Sequence, residues 1–383
     1  MVDFTLSDEQ LALRELAHEF ATKEIRPVAW EYDRESTFPQ RLITQAWELG
    51  LMNLYVPERY GGPELGSLEG VVIEEELAWG CSGIQTSIGA NGLAAMPVLL
   101  AGSESLKRRY LERLTQQPLL ASFCLTEPHA GSDVASIGTR AVRKGSGYVL
   151  NGSKCFVTNG AYADFYTVYA KTDPDRGHLG ISCFVVPREA GVVVDRHEDK
   201  MGQRASNTAT VTLDDVEISS DHLVGQENGG FKIAMATLDR TRPAVAAMAV
   251  GIARAAFEFA VVYARERTQF GVPIASHQAI QFMVADMATE IEAARLLAWK
   301  AADALDTGRP ATLLSSHAKR FAADVAMKVA TDAVQVYGGY GFMKDYPVEK
   351  LMRDAKVMQL YEGTSQIQRI VIAREIFAAR ARD

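Results

Sequence analysis

The chain changes its hydrophobic rhythm twice. From residue 1 to about 120, apolar positions recur every three or four residues, the spacing of one buried helix face. Leu13, Leu16, Ala17 and Phe20 make one such stripe, and Leu106, Tyr110, Leu111 and Leu114 another. Ser7 predicts a helix start, with Gln10 as its reciprocal capping partner and Leu6 stapled to Leu11. Ser103 predicts a second cap, and the run YGGPELG from Tyr60 to Gly66 breaks the helical zone into a loop.

From about 121 to 228 the pattern shortens and fills with β-branched and aromatic residues. Phe165 to Tyr169, Ile181 to Val186, Gly191 to Val194 and Ala209 to Leu213 read as strands. Gly145-Ser146-Gly147 and Asn151-Gly152 read as turns between strands. From about 229 to 383 helix returns, over 239–266, over 276–307 with Gly308 as the stop, and over 311–337 with Gly338-Gly339 as the stop. The order predicts an α+β chain of three domains, 1–120 all-α, 121–228 all-β and 229–383 all-α. Helix, sheet, helix is not a doubly wound βαβ order, and no GxGxxG follows a strand. Small residues on more than one face of the last helices point to close packing and burial beyond one chain, hence an oligomer; a well-packed monomeric bundle is the alternative.

Composition narrows the function. The 383 residues are 48% hydrophobic with a net charge of −8 and no polybasic stripe, which argues against nucleic acid and against an anionic membrane surface as partners. No apolar run is expected to span a membrane. Cys81, Cys124, Cys155 and Cys183 lie at no metal-binding or disulfide spacing, so buried free thiols and no metal are expected. A helix starting almost at Met1 leaves no room for a transit segment, so a bacterial cytoplasmic protein is expected, or a mitochondrial matrix one if a leader was removed.

Five patches could carry chemistry. Cys124 to Asp133, CLTEPHAGSD, is a strand end entering a loop dense in hydroxyls and free N–H groups, able to grip a heterocycle or a phosphate, or simply to turn. In Cys155 to Gly160, Phe156 and Thr158 stand two apart on a strand and share a face. Arg265 to Gly271, RERTQFG, offers Arg and Phe at a helix end, suited to the helix dipole or to a nucleotide. Asp239-Arg240-Thr241-Arg242 reads as a helix front, where arginine is mildly misplaced unless it meets an anion or Asp239. Tyr361 to Gln368, YEGTSQIQ, puts a carboxylate beside a glycine between helical runs, either a solvated turn or a positioned base.

Taken together, and with Gln335-Val336-Tyr337-Gly338-Gly339, these patches resemble the acyl-CoA dehydrogenase family over nearly the whole chain, most like its medium- and short-chain members around Asp239 to Arg242 and His277 to Ile280. The resemblance implies an N-terminal helical domain, a middle β-barrel and a C-terminal four-helix bundle, assembled as a homotetramer with one FAD per subunit. By position, Leu125, Thr126 and Ser132 would hold the flavin ring, with Phe156 and Thr158 at its other edge. Arg267, Gln269, Phe270, Gln335, Gly338 and Gly339 would reach the adenine half of a partner subunit's FAD. His277, Gln278, Thr364 and Gln366 would complete the cofactor shell. Ser132, Asp239, Arg242 and Gly363 would lie along the acyl-CoA.

Glu362 resembles the family's catalytic base. It would remove the α proton of a saturated acyl-CoA thioester while the β hydride passes to flavin N5, giving a trans-2-enoyl-CoA, and an electron-transferring flavoprotein would take the electrons. Some members place the base near residue 241, where Thr241 cannot serve. Two departures are visible. Phe156 stands where the family usually has Trp, near the exposed flavin edge, and Gly89 stands where medium-chain members carry a larger acidic residue, which implies a roomier or reshaped acyl pocket. An acyl-CoA oxidase and a flavin-binding paralogue without the reaction are the rivals. The chain is short for the first, and the second often loses the carboxylate that Glu362 retains.

Overall fold

A computed structural model of the chain describes residues 4–380. The N-terminal helices are α1 (Asp8–Phe20), α2 (Ala29–Glu35), α3 (Gln40–Glu48), α4 (Ser67–Ala101) and α5 (Glu104–Gln116). Ser7 and Gln10 form the expected reciprocal cap, and Ser103 caps α5 through Leu106 N–H. Leu11, expected to staple to Leu6, is exposed. Helix α4 is two helices joined at a kink, where Cys81 is extended at φ −167° and ψ 115°.

The middle region holds β1 (Ala121–Cys124), β2 (Arg140–Lys144), β3 (Gly147–Thr158), β4 (Phe165–Lys171), β5 (Ile181–Pro187), β6 (Val193–His197), β7 (Thr208–Ser219) and β8 (Leu223–Val224). They pair in the order β6-β7-β3-β2-β4-β5-β8, with β1 parallel to β4. The expected barrel does not close. Strands β6 and β8 are free ends, and β2 meets β4 at a single register pair, Arg140 with Lys171. The Gly145 to Gly147 turn joins β2 to β3, but Asn151-Gly152 is no turn: it lies inside β3, where the register against β7 shifts. A two-residue turn signal inside a long strand becomes a bulge when both flanks already have partners.

The C-terminal region is helical: α6 (Gly230–Glu266), α7 (Gln278–Asp306), α8 (Thr312–Tyr337) and α10 (Ser365–Arg380) are the four longer helices, with the shorter α9 (Val348–Met358) between the last two. Between α6 and α7 a small hairpin pairs β9 (Thr268–Gln269) with β10 (Val272–Pro273). Because α6 begins at Gly230, Asp239 to Arg242 sits inside the helix and not at its front, and Arg242 is buried.

Helices α4 and α6 are long and apolar enough to cross a membrane, contrary to the expectation that no run would be; here they are core helices, mostly buried in the protein. A buried ion network ties α4 to α6 and α7: Arg254 Nη1 donates to Glu75 and Glu76 at 2.8 Å each, and Arg295 Nη2 donates to Glu75 at 3.0 Å. All four cysteines are free and buried, and no metal-binding cluster exists among the described residues.

Candidate functional site

Glu362 lies in the turn between α9 and α10. The turn reverses the chain with two successive left-handed residues, Glu362 at φ 52° and Gly363 at φ 93°. A side chain other than glycine's would be strained at 363, and a Cβ there would stand 2.5 Å from Gln368 Nε2. Three oxygens of the turn accept from side chains of other elements. Thr241 Oγ1, from α6, donates to Glu362 Oε2 at 2.7 Å. Arg242 Nε and Gln368 Nε2 donate to the Glu362 carbonyl at 3.4 and 3.3 Å. Lys319 Nζ, from α8, donates to the Gly363 carbonyl at 2.7 Å.

The electrostatics oppose one another. Burial pushes the Glu362 carboxyl above its ordinary range; the Thr241 hydrogen bond and the Lys319 and Arg242 cations pull it part of the way back. Burial drives Lys319 down to about 8, against the attraction of Glu362. Arg242 is neutralised by Asp239, whose Oδ1 accepts from Nη1 at 2.8 Å and whose Oδ2 accepts from Thr312 at 2.6 Å. The result is a carboxyl held in one place, poised to take a proton, inside a nearly charge-balanced shell. Of the residues expected along an acyl-CoA, Asp239, Arg242 and Gly363 are brought together here, whereas Ser132 is exposed on the loop after β1. Thr364 accepts from Ile367 N–H at 3.1 Å and so starts α10, with Gln366 exposed on its first turn.

A second group lies where β1 and β3 end. Leu125 is buried, Thr126 and Thr158 are half-buried, and Phe156 is 67% exposed. Phe156 takes φ 56° at a register shift of β3, so its ring turns outward while Val157 stays in the core. Cys155 N–H donates to the Thr126 carbonyl at 3.0 Å, and Ser122 Oγ donates to the Thr158 carbonyl at 2.7 Å, which holds the two strand ends side by side. The loop from Leu125 to Thr139 is clamped by a buried ion pair: Lys154 Nζ donates to Glu127 Oε1 at 2.7 Å and to the Leu125 carbonyl at 3.1 Å. Glu127 also accepts from Gly138 N–H at 2.6 Å and Thr139 N–H at 3.1 Å. Burial works against the Glu127 anion, but Lys154 and these donors outweigh it and hold the carboxyl below its ordinary range.

The third group surrounds a cleft of about 410 Å³ lined by Arg267, Gln269, Tyr263, Tyr337, Gly338, Gly339 and Tyr340, among others. Gly338 and Gly339 leave open space where side chains would stand, and Arg267 lies 5.5 Å over the Tyr340 ring. Phe270 is 95% exposed and meets the His277 ring edge-on, while His277 Nε2 is buried with no hydrogen-bond partner. Gln335 lies in the last turn of α8 and Gln278 begins α7, both exposed. Aromatic walls, a glycine floor, an arginine and an unpartnered ring nitrogen fit the adenine half of FAD. The exposed Phe156 and the half-buried Thr126 and Thr158 fit its ring system.

Sequence reasoning missed four groups: Thr241 as a partner of the carboxyl rather than a vacancy, Lys319, Gln368, and the Lys154 to Glu127 clamp. Lys319 had a signal, because it shares a helix face with Ser315 and Ala322 in an otherwise small and apolar run. At Gly89 the space of a side chain is taken by polar neighbours, since a Cβ there would stand 2.8 Å from Gln85 Nε2 and 3.0 Å from Glu74 Oε1.

Comparison with known proteins identifies the family. The acyl-CoA dehydrogenase N-terminal domain matches residues 7–118, the middle domain 122–216 and the C-terminal domain 228–377. An acyl-CoA dehydrogenase of Bacillus subtilis (strain 168) is 45% identical over 96% of this chain and 98% of its own. Butyryl-CoA dehydrogenase from Megasphaera elsdenii superposes with a TM-score of 0.96 at 41% identity, over 98% of this chain and 100% of its own. A chain from a structure described as the electron transferring flavoprotein of Acidaminococcus fermentans gives a TM-score of 0.96 at 45% identity, over 98% of this chain and 99% of its own. The chain belongs to the acyl-CoA dehydrogenase family of FAD-dependent oxidoreductases.

Proposed function

We propose that this chain converts a saturated acyl-CoA to the trans-2-enoyl-CoA, with Glu362 as the base that takes the α proton. The observation that carries the reading is the Glu362 turn: the carboxyl is fixed by Thr241, the backbone is fixed by Arg242, Gln368 and Lys319, and burial raises the group's proton affinity. Fixing the base removes the orientational cost of reaching the α carbon. When bound, FAD supplies the acceptor for the β hydride. The part that falls to this chain is the proton, which Glu362 takes and holds at its carboxyl. Leu125, Thr126, Ser132, Phe156 and Thr158 would hold the ring of the cofactor; Arg267, Gln269, Phe270, Gln335, Gly338 and Gly339 would reach the adenine half of a partner subunit's FAD; and His277, Gln278, Thr364 and Gln366 would complete the cofactor shell.

Two further parts of the reading rest on different support. An electron-transferring flavoprotein is the acceptor we favour, supported by the likeness to the Acidaminococcus fermentans chain. A homotetramer is supported by the apolar side chains that the C-terminal region leaves exposed, Phe282 at 60%, Phe342 at 81% and Phe377 at 70%.

The test of the base is Glu362→Gln, which keeps the shape and removes the proton acceptor. The expected result is a yellow protein whose spectrum still responds to butyryl-CoA but whose anaerobic bleaching slows by about 10³-fold or more. Bleaching at the wild-type rate would sink the assignment.

A further inference from the structure

Residues 198–207, which join β6 to β7, leave the sheet and dock against both helical regions. Arg204 Nε donates to the carbonyl of Asp33, in α2, at 3.0 Å. Arg353, from α9, donates to the Met201 carbonyl at 2.9 Å and to Asp33 Oδ2 at 2.7 Å. At Gly202 a Cβ would stand 2.3 Å from the Arg353 carbonyl oxygen, so the loop backbone lies directly on α9. Gly83 gives α4 the same closeness to the next residue, since a Cβ there would stand 3.1 Å from the Gln203 Cα.

Gln203 is 4% exposed and holds a left-handed backbone, φ 48°, which is strained for a residue with a Cβ. Three elements hold it there. Its N–H donates to Asp354 Oδ1 of α9, a fully buried carboxylate that also accepts from Lys350 and Ser82. Its side-chain oxygen accepts from Thr86 of α4 at 3.1 Å. Its side-chain nitrogen lies 3.6 Å from Met358 Sδ and 3.5 Å from the Tyr361 hydroxyl, which itself donates to Met358 Sδ at 3.1 Å. Tyr361 immediately precedes Glu362. Thr241, Arg242, Lys319 and Gln368 meet the base turn from the C-terminal helices, whereas Gln203 meets it from the sheet region. The other end of the loop runs to the second group of the site. The Asn207 carbonyl accepts from Asn159 N–H at 2.9 Å, Asn207 Oδ1 accepts from Ala161 N–H at 3.0 Å, and Thr208 pairs in register with Thr158.

We propose that Gln203 is a positioning residue for the reaction: through Tyr361 it sets where the Glu362 carboxyl stands relative to the strand end of Thr158, and so relative to the cofactor ring that this strand end would hold. The inference rests on the dehydrogenase reading above and adds a residue to it. The proton and the hydride leave adjacent carbons of one substrate, so the base and the ring must both be aligned with it at once. The base comes from the turn between α9 and α10, and the ring would be held by the sheet. Contacts within the C-terminal helices fix the base against those helices alone. Fixing it against the ring takes a contact that begins in the sheet, and the segment from Gln203 to Thr208 is anchored at both ends of that span. A strained backbone persists only where its surroundings over-determine it, as they do at Gln203.

The test is Gln203→Met, which keeps the length of the side chain and removes its polar contacts, in the FAD-loaded protein with butyryl-CoA. The expected result is anaerobic bleaching slowed by about 10²-fold, the effect of a base displaced by about 1 Å, with KM within about threefold of wild type. The isotope effect of α-deuterated butyryl-CoA should rise and that of the β-deuterated substrate should not, because proton removal alone has become harder. Tyr361→Phe should give the same signature, and the double variant should be no slower than the slower single one, because both changes break one path. FAD release on dilution and the melting temperature should stay near their wild-type values. Gln203→Gly, whose backbone takes the left-handed conformation without strain, is the second variant and should behave alike if Gln203→Met fails to fold. Wild-type bleaching and isotope effects, additive single effects, or a loss of rate that merely follows lost FAD or lost stability each overturn the inference and leave the dehydrogenase reading standing. If no saturated acyl-CoA bleaches the wild-type flavin, the dehydrogenase reading fails and this inference falls with it.

Discussion

Thr241 Oγ1 donates to Glu362 Oε2 across 2.7 Å, joining the interior of α6 to the turn between α9 and α10. The bond favours the carboxylate over the acid, so it restrains the rise that burial imposes on Glu362. In Thr241→Val that restraint is gone and the carboxyl holds its proton to higher pH. A base must be deprotonated to act, so the acid limb of the kcat/KM profile should move to higher pH. Activity on the limb should fall by roughly tenfold, with little loss above it. A profile that stays in place would remove Thr241 from the control of the base.

Lys319 gives a stability signal of opposite character. Its folded-state affinity for the proton is depressed to about 8 by burial. Between about 8 and the ordinary lysine value, the unfolded chain holds a proton that the folded chain has lost. Stability therefore rises with pH through that window, and below it the full cost of a buried cation is present. Lys319→Met should lack this rise. Thermal melting from pH 7.5 to 10.5 should show wild type gaining on the variant by something on the order of 3 kcal/mol. Parallel curves would mean the ammonium is not desolvated.

The Lys154 to Glu127 pair clamps the loop that carries Leu125, Thr126 and Ser132. Glu127→Gln leaves a buried cation without its anion, a change that costs about 3–5 kcal/mol. Lower melting temperature and faster release of FAD on dilution should appear together. Lower stability with unchanged FAD retention would show that the clamp serves the sheet alone.

Gly363 is required by two constraints at once, its left-handed backbone and the closeness of Gln368. Gly363→Ala should cost roughly 1–3 kcal/mol of stability. Gln368 would also be displaced from both carbonyls it holds, and a shift of the base by about 1 Å costs about 10²-fold in turnover. Steady-state kinetics at saturating acyl-CoA reads this directly.

Much of the architecture was legible because it follows from local rules. Ser7 and Ser103 cap the helices they were expected to cap, and Gly338 stops α8. The strand cores appeared where β-branched residues cluster, from Phe165 and from Ile181. What was not legible depends on partners distant in the chain. Asn151-Gly152 looks like a turn until β3 is paired on both sides. The barrel expectation failed because closure is a property of the whole sheet. In the site, Glu362 was readable as a candidate, but Thr241 lies 121 residues away and Lys319 donates from 44 residues away.

Helix α4 contributes to three separate apolar cores. Val71, Ala78 and Trp79 pack into the core of the C-terminal helices, Ile73, Leu77 and Ile84 into the N-terminal core, and Ala94, Ala95 and Val98 into the core shared with the sheet. Its sequence therefore answers to all three parts of the protein at once. For anyone building chimaeras between relatives, this makes α4 the element that decides compatibility. An N-terminal segment grafted without the matching faces of α6 and β4 would carry its own core intact and still fail to dock, so crossover points belong where α4 and its three sets of neighbours travel together.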